Sequence, residues 1–345
     1  MIRKKTGKFM TVLLGAALLG TAAFASGCSS AQPDSQEDGT VVAHVGENPV
    51  YLDEAEFYTR MLQEQWEAAY YQSFGSEMWQ AEATEDGQTL EQVLKSDVMS
   101  LLTELHLLCA HAEEYGVELT EEEQAVIAER AENFMESNTP EVLEAAGATA
   151  ERVGRYLTRN ELAGKMAEQI QSSYEPELDE EAARVGKLTY CLFSVTGTYD
   201  AEGNHTPFTD EEIAETGRQA EEFAARAQEL GDISAAGEEA SRTLIDAYFN
   251  DSTNGGTHEK VAEAVRGMET GQVSDPIETE DGWYVVQRVS DYDESATEDN
   301  LEAMEAQARE NYLMELEQEW QQEAPLVIEE EVWDTVQIDQ MLTEM

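Results

Sequence analysis

The sequence predicts an α+β protein: a mainly helical domain built from N- and C-terminal segments, carrying an inserted β-α-α-α-β domain. Three observations predict it. Apolar residues recur at helical spacing between start and stop signals over residues 53–170. Two β-prone runs, 187–195 and 283–289, bracket a second, shorter-helix region. Composition changes near 175–181 and again near 291–297, which marks the edges of the insert. The expected division is a leader over 1–27, a tether over 28–40, the helical domain over 41–180, the insert over 184–293, and a C-terminal helix and tail over 296–345 that pack back on the helical domain.

Residues 41–45 alternate as a short strand, Gly46-Glu47-Asn48-Pro49 turns it, and 50–52 return. Asp53 is expected to cap a helix, with Glu56 three residues on completing a capping box. That helix runs to about residue 74 on Phe57, Met61, Leu62, Trp66 and Tyr70, and 75–88 reads as a polar loop. A second helix, 90–115, carries an apolar stripe from Val93 to Leu108 and stops at Gly116. Thr120 with Glu123 caps a third to about 137, and Thr149 opens a fourth on Val153, Tyr156, Leu157, Leu162, Met166 and Ile170. In the insert, a strand at 187–195 precedes a helix capped by Thr209 and ending near Leu230. A helical stretch over 234–248, a loop over 250–256, a short helix over 259–267, a turn at Thr270-Gly271 and the strand 283–289 follow. A long helix covers 296–322, and 325–338 is apolar and acidic, partly extended.

The N-terminus points outside the cytoplasm. Arg3, Lys4, Lys5 and Lys8 precede an apolar stretch from Phe9 to Phe24, then Ala25-Ser26-Gly27-Cys28. This is a secretory signal, too short and too rich in small residues for a spanning helix. Its ending resembles the bacterial lipobox, with Ala25 where Leu is usual, and implies cleavage and lipidation at Cys28; an ordinary cleaved signal with a stray cysteine is the alternative. Residues 29–39, rich in Ser, Gln, Pro and acid, supply a tether. No later segment reaches 18 apolar residues, so membrane contact is expected through the anchor alone. With no outer-membrane feature, this fits a Gram-positive surface.

Removing 1–27 leaves 16 basic against 74 acidic residues, a net charge of −58. Such a surface repels nucleic acid and anionic lipid, so neither is an expected partner. Runs such as Glu121-Glu122-Glu123 read as solvated faces. Aromatic and aliphatic content suffices for folded domains. Cys109 and Cys191 are the remaining cysteines, as two buried thiols or as a disulfide. No CxxC or Cys/His ligand spacing occurs, so no metal site is expected.

Several stretches resemble the extracytoplasmic foldases of the PrsA and SurA type, helical chaperones with an inserted parvulin peptidyl-prolyl isomerase domain. VVAHVGENPVYLDEAEF at 41–57 resembles their V-N-G-x-x-I-T-x-x-E-F opening, and 93–123 resembles their long helix ending A-x-x-x-G-V-x-L/V-T-x-E-E. MxxGQVSDPIETEDGWYVVQRV at 268–289 resembles the parvulin ending L-x-x-G-E-V-S-x-P-V-x-T-x-x-G-Y-H-I-I-K-L, and YFNDSTNGG at 248–256 a shortened Y-S-x-D-x-x-S-x-x-x-G-G. The resemblance implies unfolded or newly exported polypeptides as partners. It also places candidate catalytic positions: Tyr190, in Thr189-Tyr190-Cys191-Leu192, stands where the family has the His of S-H-I-L; Tyr284 stands at the second His; Asp251 matches an Asp-or-Cys position. Val261 falls at the aromatic wall of the proline pocket, with Met268 and Trp283 as further substrate-binding candidates. The stretch 196–208 is an unusual insertion.

Catalysing rotation about X–Pro needs no nucleophile, metal or cofactor, so none is expected. It needs an apolar pocket and a polar network that favours the twisted amide over a barrier of about 20 kcal/mol. Tyr190 and Tyr284 can donate and accept as neutral imidazoles do, or they are ordinary strand aromatics. A chaperone surface would use Met and aromatics such as Tyr70, Tyr71, Phe74, Met78 and Trp79. A non-catalytic holdase, a solute-binding lipoprotein and a structural surface lipoprotein are the rivals. The βα alternation of solute-binding lobes is absent, as are GxSxG and HExxH.

Cys28→Ser is expected to release the protein from membranes or leave it unprocessed. Mass spectrometry of the mature N-terminus checks this, and any end other than a diacylglyceryl-modified Cys28 contradicts it.

Overall fold

The structure is a computed structural model that describes residues 39–199, 205–250, 256–338 and 340–342. The anchor position Cys28 and the candidate Asp251 lie outside the described residues. The fold is α+β, and the described residues form two compact units: one takes those up to Tyr174 and again from Asn311, the other those within Glu175–Glu310.

In the first unit, β1 (Val41–Val45) and β2 (Asn48–Tyr51) form a hairpin, followed by α1 (Leu52–Phe74) and a 3-10 turn (Gly75–Gln80). Then come α2 (Leu90–His111), α3 (Glu121–Ser137), α4 (Pro140–Ala145) and α5 (Ala150–Ser173). The hairpin turn is shorter than expected, Gly46-Glu47 alone. Gly46 has φ +61° there, and a Cβ would fall 2.7 Å from that of Ala324, so glycine is required twice over. Thr89, Thr120 and Thr149 each cap the helix that follows, the first two as full capping boxes with Gln92 and Glu123.

Asp53 does not cap α1; the N-cap is Tyr51, with no side-chain bond. The buried Asp53 carboxylate is instead taken by Arg155 at 2.5 Å and Arg152 at 3.3 Å, both on α5. Neighbouring Glu54 meets Arg159 at 2.6 Å and His106 at 3.3 Å. Burial alone would raise the Glu54 carboxyl, but His106 and the arginines outweigh it and hold it below the usual range. The expected loop over 75–88 is also corrected at its start. Met78 and Trp79 are fully buried, and Trp79 Nε1 donates to Glu67 at 3.2 Å, because an indole carries enough apolar area to pull a polar stretch into the core.

The second unit opens with β3 (Gly186–Ser194) and a small hairpin of β4 (Thr198–Tyr199) and β5 (His205–Thr206). It continues with α6 (Asp210–Leu230), α7 (Ile233–Ala240), β6 (Ile245–Phe249), α8 (Glu259–Arg266), β7 (Ile277–Thr279) and β8 (Gly282–Ser290). The expected helix over 234–248 is therefore half helix, half strand. The amide of Arg242 bonds the carbonyl of Gly237 and Ser241 adopts φ +51°, a Schellman ending made without glycine. Residues 245–249 then pair antiparallel with β3. Apart from the β4–β5 hairpin, the insert is β-α-α-β-α-β-β, with an antiparallel sheet in the order β6-β3-β8-β7.

The long α9 (Glu294–Glu323) supplies residues to both units, and β9 (Leu326–Ile328) and α10 (Glu330–Trp333) end the chain. β9 pairs with β1 to make the sheet β2-β1-β9. Lys95 Nζ donates to the carbonyls of Trp333 (3.0 Å) and Val336 (2.8 Å), pinning the tail to α2. Cys109 and Cys191 are free thiols in different units, each pushed up to about 11 by burial. No described helix is long and apolar enough to cross a membrane.

Glu317 on α9 has a buried carboxyl oxygen without a hydrogen-bond partner, and burial, with Glu104 adding, pushes its carboxyl up to about 8. The folded state then holds a proton that the unfolded chain releases near 4.5. Stability contributed through this group falls as pH rises from about 5 to about 8 and is level above that. Glu317→Gln is expected to flatten that decline and raise the melting temperature at pH 8–9, by about 2–4 °C per kcal/mol recovered. Thermal unfolding followed by circular dichroism across pH checks it; an unchanged pH slope contradicts it.

Candidate functional site

The two faces of the second unit's sheet are covered unequally. Side chains alternate along a strand, so β3 sends Cys191 and Phe193 one way and Leu188, Tyr190 and Leu192 the other. The first face, with Val285 of β8, lies under α6 and α7 through Ala220, Phe223, Ala224, Ala227, Ile233 and Ala236. The second face has Leu188, Ala247, Phe249, Tyr284 and Val286 beneath Val261 and Val265 of α8, with Met268 just beyond the helix. Eight residues of helix span about 12 Å, whereas the nine residues of β3 extend about 30 Å, so α8 cannot roof the whole face. Tyr190, Leu192 and Ile277 are left half-buried. Ile245, directly opposite Tyr190, is 45% exposed.

Register brings the two tyrosines together. Tyr190 pairs with Val286 and Leu192 with Tyr284, so Tyr190 and Tyr284 are diagonal neighbours on one face. Their ring centroids are 5.3 Å apart with planes at 44°. Burial raises the Tyr284 phenol, and Asp281 and Tyr190 add to the rise, so its hydroxyl stays protonated and able to donate.

Both ends of α8 are tied down. At its start His258 Nδ1 accepts from the amide of Lys260, and Lys260 Nζ reaches the carbonyl of Glu278 at 3.1 Å. At its end Arg288 donates to the carbonyls of Val265, Arg266 and Met268 at 3.0, 3.2 and 2.8 Å, and its guanidinium lies 5.2 Å from the Phe249 ring. A cation on the last carbonyls satisfies groups a short helix otherwise leaves open. Arg288 thus positions Val261 and Met268 over the sheet.

Of the sequence candidates, Tyr190, Tyr284, Val261 and Met268 share this face and its apolar cluster. Val261 is fully buried between α8 and the sheet, so its side chain is not at the surface of the face. Trp283 is not brought together with them. It follows the opposite alternation and packs on α6, where a Cβ on Gly217 would fall 2.9 Å from its ring. Sequence reasoning missed Ile245, because 241–248 read as helix, and Arg288, although Tyr284, Val286 and Arg288 share strand parity.

The arrangement offers two phenols on the central strands of a half-covered apolar face, with Leu192 adjacent to both and Ile245 and Ile277 on the outer strands. It can hold a small apolar ring and present neutral donors or acceptors to an amide, which is what rotation about X–Pro requires. Residues 199–313 match the family model described as the PPIC-type PPIase domain. The matched span holds Asp251, Val261, Met268, Trp283 and Tyr284, and begins just after β3, so Tyr190 precedes it. A search of curated proteins finds no match.

Among solved structures, the chain is similar to one described with two SurA-like chaperones of Campylobacter jejuni, at 9% identity, 84% of this chain, 99% of that one and a TM-score of 0.31. It is similar to the peptidylprolyl isomerase PrsA of Bacillus cereus at 17% identity, 74% of this chain, 97% of that one and a TM-score of 0.31. The foldase protein PrsA of Streptococcus pneumoniae gives the same four values.

Trp283→Ala is expected to destabilise the second unit by about 2–3 kcal/mol, since it empties a half-buried site under α6. Binding of a proline peptide to the folded variant should match wild type. Chemical denaturation and a peptide titration check both; loss of binding at unchanged stability contradicts the placement.

Proposed function

We propose that this chain is an extracytoplasmic foldase of the PrsA and SurA type, anchored through lipid on Cys28. In this reading the helical segments 41–180 and 296–345 act as a chaperone on unfolded or newly exported polypeptides. The parvulin-like region 184–293 binds proline-containing or extended segments and isomerises them slowly. The observation that carries the reading is the Tyr190–Tyr284 pair on a half-covered apolar face, in a chain that matches the PPIC-type PPIase model over 199–313.

Two imidazoles of the family pattern are replaced by two phenols. A phenol keeps a hydroxyl that donates and accepts, but its ordinary value near 10, raised further at Tyr284, keeps it neutral and removes the tuning an imidazole has near pH 7. The groove survives, because strand register and α8 shape it, while transition-state stabilisation weakens.

Acceleration of cis/trans exchange in a proline peptide with a chromogenic leaving group is expected to be measurable but well below that of an efficient parvulin. Tyr190→Phe and Tyr284→Phe should each lower it about three- to tenfold, the worth of one neutral hydrogen bond, with little change in melting temperature. A wild-type rate equal to an efficient parvulin's, or rates untouched by both substitutions, would refute the tyrosine network. Failure to suppress aggregation of an unfolded client would refute the chaperone part.

A further inference from the structure

The last turns of α1 carry a row of aromatic side chains that leads out of the core. Trp79 is fully buried and stacks on Trp66, centroids 6.3 Å apart and planes at 16°. Trp66 meets Tyr70 edge to face at 5.6 Å, and Tyr70 meets Phe74 in the same manner at 6.4 Å. Trp66, Tyr70 and Phe74 are spaced four residues apart on one helix face, and exposure rises along the row to 39% at Tyr70 and 45% at Phe74. Among the described residues, neither Tyr70 nor Phe74 belongs to the core clusters of the first unit. The outer rings are held by their neighbours in the row rather than by the core.

The chain segment that carries the row is anionic. Between Arg60 and Lys95 the sequence has no Lys, Arg or His and seven acidic residues, among which Glu64, Glu77 and Glu82 are exposed. The last turn of α1 contains no basic residue, so the partial negative charge of its terminal carbonyls, beside Phe74, is left uncompensated. Ring faces, carboxylates and a helix C-terminus all favour cations. Together they suit a side chain that pairs a positive head with an apolar stem.

We propose that the Trp66–Tyr70–Phe74 row is a docking face for unfolded polypeptide segments rich in Lys and Arg. The inference rests on the foldase reading and names its substrate class. Arg guanidinium groups stack on the exposed Tyr70 and Phe74 rings, Lys and Arg stems cover the apolar ring area, and the acidic surface draws such segments in and turns acidic ones away.

The test uses the full-length protein and three labelled, disordered, proline-free peptides of equal length: Arg/Lys with Ser, Leu with Ser, and Glu with Ser. Fluorescence anisotropy is expected to show the cationic peptide binding at least tenfold tighter than either of the others. The double substitution Tyr70→Leu with Phe74→Leu keeps apolar area and removes both rings. It should weaken cationic binding about tenfold, the product of two exposed cation–π contacts, while Phe74→Tyr alone retains it. Unchanged cationic binding in the leucine variant would assign the attraction to net charge alone and overturn the proposal. So would neutral-peptide binding as tight as cationic. Prolyl isomerase activity reads the other unit and is expected to be the same in wild type and leucine variant. An inactive isomerase with full, ring-dependent cationic binding would sink the catalytic reading and support this one.

Discussion

The mismatch between a nine-residue strand and the eight-residue helix laid across it governs what the second unit can do. On one side of the sheet, α6 and α7 provide enough apolar surface to seal the strands, and that side is core. On the other, α8 seals Leu188 and Val286, leaves Tyr190, Leu192 and Ile277 half-buried, and leaves Ile245 exposed. Water reaches apolar area there that folding alone would have buried, and the two tyrosines stand where the covered and uncovered parts meet. The clamp of Arg288 on the end of α8 and the Lys260 contact at its start fix how much remains open.

How much of this was readable depended on whether the deciding interaction is local. Thr120 with Glu123 and Thr209 with Glu212 announce their helices because a capping box is complete within four residues. Asp53 shows the same pattern with Glu56 and fails, since two arginines a hundred residues later claim its carboxylate. The end of α7 is silent in the sequence because Ser241 takes the left-handed turn that glycine normally signals. With that boundary hidden, β6 and the exposed Ile245 were hidden too. Tyr190 and Tyr284 were placed through resemblance, and strand register sets them on one face. Strand parity alone places Trp283 on the opposite side of its neighbour Tyr284.

Charge is distributed with a purpose that net composition conceals. Of the few cations, Arg152, Arg155 and Arg159 lie along one side of α5 and neutralise Asp53 and Glu54 at the base of α1. Lys165 with Glu123 and Lys95 with the tail carbonyls follow the same use. Other arginines, such as Arg130, Arg218 and Arg226, stay at the surface, each paired with glutamate. A high negative charge opposes self-association through exposed aromatic area such as Tyr70 and Phe74.

The pairing of β9 with β1 has a consequence for the order of events during synthesis. The hairpin of β1 and β2 emerges first and the strand that completes its sheet almost last, some 280 residues later. Until Leu326–Ile328 arrives, the outer edge of β1 is an unpaired row of amides and carbonyls open to any passing strand. The tail that Lys95 and Glu67 hold is likewise missing. Each new chain therefore spends that interval with its N-terminal half unfinished and a strand edge exposed.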